Sequence, residues 1–502
     1  MSMVRLFQNQ HTRNVGKIIF SLFLVLLVLP LTRQGMFVDG VWYAAIAKNM
    51  SQGLGSIWDP ALSKTLFLHF REHPPLAIAM QSIFFKLLGD GFWVERLYSF
   101  CLAMGQITLL IFLWHRDLNT KTLNQDRLRA ILLLLLLWLL IPINIGMYKD
   151  NLLEGGLTLF ATLACWQLIR TRAQNQPFYR KALLASGCLI AGFMCNGPTV
   201  LFPLIIPVLF GWYIEPTHMR SHLINNLILI LICCMSFAAF FIFFPGALDN
   251  LKGYFQVQLM AAITGQRDLS FTGWKHFYIF YIYFKDYIWV SMAAVIIILM
   301  EAILSKQSFM KLLKGYIQDP WFRFYFVLSL FASLPVGISH RQMFHYISAS
   351  APIYLLAMLH FSFPAFSNLL RLLDQQQDSI IIKKLGRILS LTCVICLMVV
   401  LKNVGGYNKN QHLIEDVQRV SQYVPQSEII KGSQQVMYDF DIPANFARYS
   451  FISFVDPNEK MNQAKAQYYI YYPDEPILEG YQPVALPLRS FKLAQLVDGS
   501  TS

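Results

Sequence analysis

The stretch ILLLLLLWLL, residues 131–140, decides the fold class because a run of ten apolar residues leaves no polar face for water. Similar blocks recur along the chain, and they have the length needed to cross a bilayer, roughly 17 to 25 residues. Of the 502 residues, 56% are hydrophobic and only 14% are charged. Since a helix satisfies its own backbone polar groups in lipid, these blocks predict an all-α polytopic membrane protein.

Eleven transmembrane helices are predicted from the apolar blocks. The first is interpreted as a retained anchor and not as a signal peptide, because it is long and lacks a small-residue cleavage site. The predicted spans are 17–36, 95–114, 130–147, 153–169, 182–195, 199–214, 223–245, 286–304, 321–337, 346–362 and 388–403.

Positive charges predict the orientation of these spans. The N-terminus and alternate loops are basic, so the positive-inside rule places them in the cytoplasm. The basic residues are Arg5, Arg13 and Lys17; Arg116, Lys121, Arg127 and Arg129; Arg170, Arg172, Arg180 and Lys181; Lys306, Lys311 and Lys314; and Lys383, Lys384 and Arg387. The formal net charge of +13 is therefore interpreted as a topology signal, and no nucleic-acid partner is predicted.

The opposite side of the membrane receives three long stretches. Two are the loops 37–94 and 246–285, which belong to a predicted transmembrane domain of residues 1–403. The third is the tail, residues 404–502, which contains the strand-like sequence YYIYYP next to mixed polar sequence. This tail is predicted to form a small α/β extracytoplasmic domain, at the low end of the usual domain size.

Ionisable residues beside the membrane are costly to keep there, so they mark candidate sites. Asp39 follows the first span and precedes a segment in which Tyr43, Ile46 and Met50 recur at helical spacing. This pattern predicts an amphipathic helix that lies in the interface and begins near Asp39. The Asp39 carboxylate is either the cap of that helix or a catalytic base, and one residue can fill both roles.

Two further clusters of charge lie on the same side. Glu72 and His73 precede two prolines that favour a helix start, so they form either a charged turn or a site for a metal and a phosphate. Lys149 and Asp150 lie with Glu154 in a loop too short to hold a domain. There, Asp150 is either the cap of the fourth span or part of a site.

Two aromatic segments on that side supply the remaining candidates. GWKHFYIFYIYF contains His276, and SHRQMFHY contains His340 and Arg341. The aromatic residues suit an interfacial belt, which is one explanation of both segments. The other explanation is a phosphate site, in which the planar guanidinium of Arg341 binds two phosphate oxygens.

The order of these motifs resembles the membrane glycosyltransferases of the GT-C class, in the branch of the protein O-mannosyltransferases and the lipid A aminoarabinose transferase. The resemblance covers about residues 20–360. In that family a catalytic Asp opens the first outer loop and a Tyr-Ala-x-Ile helix follows, which matches Asp39 and Tyr43. The family usually has Glu directly after this Asp, whereas this chain has Gly40.

Two cations of the family pattern are replaced in this chain. The family's Glu-Lys-Pro-Pro-Leu stretch corresponds to EHPPL at residues 72–76, so His73 stands where the family has Lys. The family's Lys-Gly pair before the sixth span corresponds to Asn196 and Gly197. A second Asp of the family, in the short loop before the fourth span, corresponds to Asp150.

The resemblance implies an inverting transfer of a sugar from a polyprenyl (undecaprenyl) phosphate to a lipid, glycan or protein acceptor, at the outer face of a bacterial inner membrane. It implies Asp39 as the general base and Asp150 as its assistant. The implied substrate-binding residues are Tyr43, His73, Lys149, His340 and Arg341, and the implied ligands of a possible divalent metal are Glu72 and His276.

Two other classes of protein remain open at this stage. A transporter or flippase of a lipid-linked solute would also place charges near its spans, although inverted repeats are not apparent in this sequence. A non-catalytic assembly subunit would be favoured if Asp39 and Asp150 lay far apart. The absence of a Gly-rich nucleotide loop fits a lipid-linked donor.

Overall fold

The structure is a computed structural model, and it describes residues 10–117, 124–169, 177–264, 277–340, 342–375, 380–426, 428–455 and 466–497. Eight helices in these ranges are long and apolar enough to cross a membrane, or nine if one bent pair is counted as a span. The eight are α1 (Gln10–Leu31), α4 (Val94–Asp117), α8 (Phe178–Asn196), α10 (Pro216–Phe243), α12 (Tyr278–Ser305), α14 (Pro320–Ile338), α15 (Phe344–Gln375) and α16 (Ile380–Lys402). The predicted all-α polytopic fold is confirmed.

The remaining helices are shorter and connect or cover these spans. They are α2 (Val38–Ser51), α3 (Leu76–Leu88), α5 (Asn124–Leu139), α6 (Pro142–Lys149), α7 (Glu154–Leu168), α9 (Pro198–Tyr213), α11 (Pro245–Tyr254), α13 (Phe309–Ile317), α17 (Gln411–Tyr423), α18 (Gln434–Tyr438) and α19 (Asp441–Tyr449). Helix α11 continues through a π-helical turn, Phe255–Met260, into Ala261–Thr264.

Eight of the eleven predicted spans coincide with the eight long helices, and the other three fall on shorter or broken ones. The span predicted at 130–147 is the bent pair α5 and α6, which meet at 71°. Pro142 begins the second member of that pair, because a proline cannot continue the hydrogen bonds of α5. The spans predicted at 153–169 and 199–214 are α7 and α9, and α9 begins as a 3-10 helix with Pro203 inside it.

A five-stranded mixed sheet forms the core of the C-terminal part, as the predicted α/β domain requires. Its order is β2-β1-β3-β5-β4. The strands are β1 (Ile429–Gly432), β2 (Ser453–Phe454), β3 (Tyr468–Tyr471), β4 (Tyr481–Pro483) and β5 (Lys492–Leu496). Strand β1 is parallel to β2 and β3, whereas β5 is antiparallel to β3 and β4. The boundary between two domains, placed between residues 403 and 404, stays a prediction.

A buried ion pair joins this C-terminal part to the transmembrane part. Arg448, near the end of α19, donates two hydrogen bonds to the carboxylate of Glu95 in the first turn of α4, at 3.2 and 2.7 Å. Its guanidinium also donates to the carbonyl oxygens of Asp90 and Gly91. Both charged side chains are almost fully buried, 2% and 1% exposed, so each depends on the other for charge compensation.

Helix α19 also packs on α2, the helix that begins near Asp39. The buried ammonium of Lys48, on α2, donates to the carbonyl oxygens of Arg448 at 3.1 Å and Ser450 at 2.8 Å. It lies 4.4 Å from the centre of the Phe451 ring. Burial, and then the charge of Arg448, lower the pKa of Lys48 to about 7. The C-terminal part therefore fixes the far end of α2.

We expect Glu95→Gln to destabilise the protein strongly. Removing one partner of a buried pair leaves the other charge uncompensated, which costs about 3 to 5 kcal/mol. Thermal unfolding in detergent measures the effect. Lys252→Gln is the control, because it removes an ion pair with Asp249 in which both side chains are more than half exposed. Equal melting temperatures for wild type and Glu95→Gln would show that the pair does not hold the two parts together.

The titration of Lys48 should make the stability depend on pH. Its folded-state pKa of about 7 lies below the unfolded value of about 10.4, so between these values the unfolded chain binds more protons. The free energy of unfolding therefore rises with pH across this window, by at most about 1.4 kcal/mol per pH unit. The melting temperature of the wild type should rise between pH 7 and pH 9 relative to the melting temperature of Lys48→Met over the same interval. Parallel pH profiles for the two proteins would contradict the burial of this charge.

Candidate active site

Asp39 lies in the first turn of α2, where a carboxylate interacts favourably with the helix dipole. The N-cap residue of α2 is Phe37, and its side chain makes no capping hydrogen bond. The backbone N–H of Phe37 instead donates to Oδ1 of Asp150, at 3.1 Å. A carboxylate from a different part of the chain therefore accepts from the backbone at the start of α2, and both roles of Asp39, cap and base, stay predictions.

The turn after α6 fits closely against the first turn of α2. A Cβ atom added to Gly40 would overlap the carbonyl oxygen of Asp150. The side-chain amide of Asn151 donates to the carbonyl of Gly40 at 3.2 Å, and its Oδ1 accepts bonds from Gln81 and Ser99. This contact explains why glycine follows Asp39, because no larger side chain fits against the turn. Asp150 is thus in contact with residues on both sides of Asp39.

Two basic residues, Lys149 and Arg96, make further contacts with the turn after α6. The ammonium of Lys149 lies 3.6 Å from Oδ2 of Asp150 and is about half exposed. The buried guanidinium of Arg96 donates to the carbonyl oxygens of Lys149 and Gly35, and so connects the end of α6 to the segment before α2. Sequence reasoning missed both Arg96 and Asn151. The signal for Asn151 was its residue type, since Asn tolerates the left-handed backbone (φ 53°) that the turn requires.

Tyr43 lies one turn after Asp39 on α2 and is buried among carboxylates. Burial raises the pKa of Tyr43 well above its usual value, and the charges of Asp39, Glu154 and Glu72 raise it further. The phenol is therefore neutral at physiological pH and can donate a hydrogen bond. Its ring packs edge to face on the imidazole of His73, with 5.6 Å between the ring centres.

The two residues that replace cations of the family pattern are hydrogen-bonded to each other. Nδ1 of His73 lies 3.0 Å from Oδ1 of Asn196, across 123 residues of sequence. Asn196 donates through Nδ2 to Glu154 at 2.8 Å, so its Oδ1 faces the imidazole as an acceptor. Nε2 of His345 lies 3.7 Å from the same Glu154 carboxylate. The result is a continuous polar chain from His73 to His345.

Glu72 points toward the π-helical turn that follows α11, within the second long loop. Its Oε2 accepts a hydrogen bond from Gln258 at 2.9 Å. His276, its predicted partner in metal binding, lies outside the described residues. Within the described ranges no group of three His, Cys, Asp or Glu side chains has the arrangement of a metal site. The predicted pairing of Glu72 with His276 therefore stays a prediction.

A cavity of about 650 Å³ opens beside this polar chain. Its polar end is lined by His73, Glu154, Asn196 and Gln258. The rest of its wall is mostly apolar and comes from α9, α10, α11 with the turns that follow it, α14 and the start of α15. Such a cavity suits a ligand with a polar head and a long hydrocarbon tail.

The last two predicted residues, His340 and Arg341, follow a residue that lines the cavity. Ser339 lines the cavity, and His340 follows it directly in the chain. Arg341 lies outside the described residues, so its predicted role is not tested. The structure therefore brings Asp39, Tyr43, Glu72, His73, Lys149 and Asp150 to one end of the helix bundle.

The bundle, the helix α2 after its first span and the C-terminal α/β part together form a fold that two solved structures share. A solved structure of ArnT from Cupriavidus metallidurans bound to undecaprenyl phosphate superposes with a TM-score of 0.62, at 13% identity, and covers 97% of this chain and 98% of its own. The same protein in its apo state gives a TM-score of 0.61 at 12% identity, covering 95% and 97%. No family model and no curated protein sequence matches the chain.

We expect Gly40→Ala to displace α2 from the turn at Asp150, because the added methyl group would overlap backbone and not a flexible side chain. Overpacking of this kind costs typically 1 to 3 kcal/mol, and it should lower the melting temperature. Gly187→Ala is the matched control, since a Cβ atom there meets nothing within 4 Å. If both variants melt like the wild type, the close approach at Gly40 is wrong.

Proposed function

We propose that this protein is an inverting glycosyltransferase that moves a sugar from a polyprenyl phosphate to an acceptor hydroxyl. The observation that carries the proposal is the large, mostly apolar cavity whose polar side, at His73, adjoins the helix bearing Asp39. The fold shared with ArnT, which has been solved with undecaprenyl phosphate, supports a lipid phosphate as the ligand of that cavity.

The phosphate of the donor would lie at the polar end of the cavity. Nδ1–H of His73 donates to Asn196, which orients the ring, and Nε2 donates to the phosphate when the ring is the doubly protonated imidazolium. The N-terminus of α9 faces the same space, since Pro198 and Thr199 line it, and a helix N-terminus favours an anion. No Lys or Arg occurs among the described lining residues. Arg341, two residues after the lining residue Ser339, is proposed to supply the cationic contact, with His340 beside it.

The chemical step follows from this placement. The acceptor oxygen attacks the anomeric carbon from the face opposite the phosphate, and the bond from that carbon to the phosphate oxygen breaks with its electron pair. Asp39 takes the proton of the acceptor hydroxyl as general base. Asp150 and Lys149 hold the turn against which Asp39 is placed, and the neutral phenol of Tyr43 donates a hydrogen bond to the sugar.

The proposed location is the bacterial inner membrane, with the N-terminus in the cytoplasm and the C-terminal part outside it. The basic loops support this orientation. A lipid-linked donor suits the outer face, because a soluble nucleotide sugar is not expected there. The acceptor class comprises lipid, glycan and protein hydroxyls.

Asp39→Asn should lower sugar transfer by roughly a hundredfold or more, because the amide cannot accept the acceptor proton. The assay is reconstitution in vesicles with polyprenyl phosphate sugars and a membrane extract as the acceptor source. Asp59→Asn is the control, because Asp59 is an exposed carboxylate of the same loop that pairs with His69.

Two outcomes would overturn the proposal. Undiminished transfer by Asp39→Asn would remove Asp39 as the base. Movement of the sugar lipid across the membrane without any covalent product would identify a transporter instead.

A further inference from the structure

A second cleft lies at the opposite end of the first span. It has a volume of about 600 Å³ and is bounded by α1, α4, α5 and α16. Its wall is almost entirely apolar, with Ile19, Phe23, Ile107 and Leu135 among the lining residues. Two cations, Arg13 and Lys17, stand at one end of it.

These two cations differ from the others in the same region of the bundle. Arg129 and Arg371 are compensated by Asp126 and Asp374, at distances of 2.6 to 3.3 Å. Among the described residues, no carboxylate lies within 4 Å of Arg13 or Lys17.

Within the part of the chain that the structure describes, each cation donates a hydrogen bond to a neutral group. The guanidinium of Arg13 donates to the side-chain oxygen of Gln10 at 2.7 Å, and the ammonium of Lys17 donates to the carbonyl of Gly386 at 2.8 Å. Arg13 and Lys17 are one helical turn apart, so their side chains extend from the same face of α1. Their donors remain available to an anion at the end of the cleft.

We propose that this cleft binds an anionic glycerophospholipid. An acyl chain lies along the apolar wall, and the phosphate accepts hydrogen bonds from Arg13 and Lys17. A zwitterionic lipid carries its own ammonium, so it would leave the two charges of the protein without net compensation.

The cleft is distinct from the cavity assigned to the sugar donor. Helix α1 rises by roughly 20 Å between Lys17 and Leu31, at about 1.5 Å per residue, before the chain reaches Asp39. The two cations and the candidate active site are therefore at opposite ends of one span. The phosphate of the proposed lipid belongs to the other leaflet from the phosphate of the donor.

Native mass spectrometry of the delipidated full-length protein tests this proposal. Phosphatidylglycerol and phosphatidylethanolamine of equal chain length are added separately, and the double variant Arg13→Gln/Lys17→Gln is compared with Lys311→Gln/Lys314→Gln. The control removes the same charge from exposed residues of α13 that do not line the cleft. We expect phosphatidylglycerol to bind more tightly than phosphatidylethanolamine. The double variant should weaken its binding roughly tenfold to thirtyfold, and the control should not.

A second variant separates the acyl-chain site from the charges. Gly16 lines the cleft, and a Cβ atom there would meet only a Leu132 methyl at ordinary contact distance, 3.8 Å. Gly16→Met should therefore fill the cleft and reduce phosphatidylglycerol binding while both cations remain.

Three results would overturn the proposal. The first is equal retention of phosphatidylglycerol and phosphatidylethanolamine by the wild type. The second is an equal loss of phosphatidylglycerol binding in the control and in the double variant. The third is a double variant that loses binding of a short-chain polyprenyl phosphate and keeps its binding of phosphatidylglycerol.

Discussion

Helix α2 is held at its first turn by the turn that follows α6, and the groups proposed to act on the substrate take their positions from that contact. The N–H of Phe37 donates to Asp150, the backbone at Gly40 lies against the Asp150 carbonyl, and Asn151 donates to Gly40. Three contacts therefore hold the residues on either side of Asp39 against a turn that is more than 100 residues away in sequence. Because backbone groups and two short side chains form this contact, the orientation of α2 has little freedom.

The other end of α2 is fixed by the C-terminal part of the chain. Lys48 donates to two carbonyls of that part, and Arg448 is buried against Glu95 at the start of α4. A helix of 14 residues is thus held at both ends by segments distant in sequence. This arrangement gives the C-terminal part a physical role in the active site even though none of its described residues lines the cavity.

The sequence predicted the architecture because bilayer thickness and loop charge act on each segment separately. It could not predict that His73 and Asn196, each a departure from the family pattern, contact one another. That contact depends on how α8 packs beside the loop before α3. In the sequence, Gly40 is only a departure from the Glu of the family pattern. The structure explains the glycine, because the carbonyl of Asp150 lies against it. Three of the predicted spans fall on short or bent helices, because hydropathy does not register breaks at prolines such as Pro142.

The most direct measurement is the structure of the protein with a polyprenyl phosphate bound, determined by electron cryomicroscopy in lipid nanodiscs. Density for the isoprenoid chain should follow the apolar wall of the large cavity, with the phosphate within hydrogen-bonding distance of His73 and the carboxylate of Asp39 facing the space beside it. A phosphate located away from His73, or a lipid chain outside this cavity, would contradict the proposed transfer site.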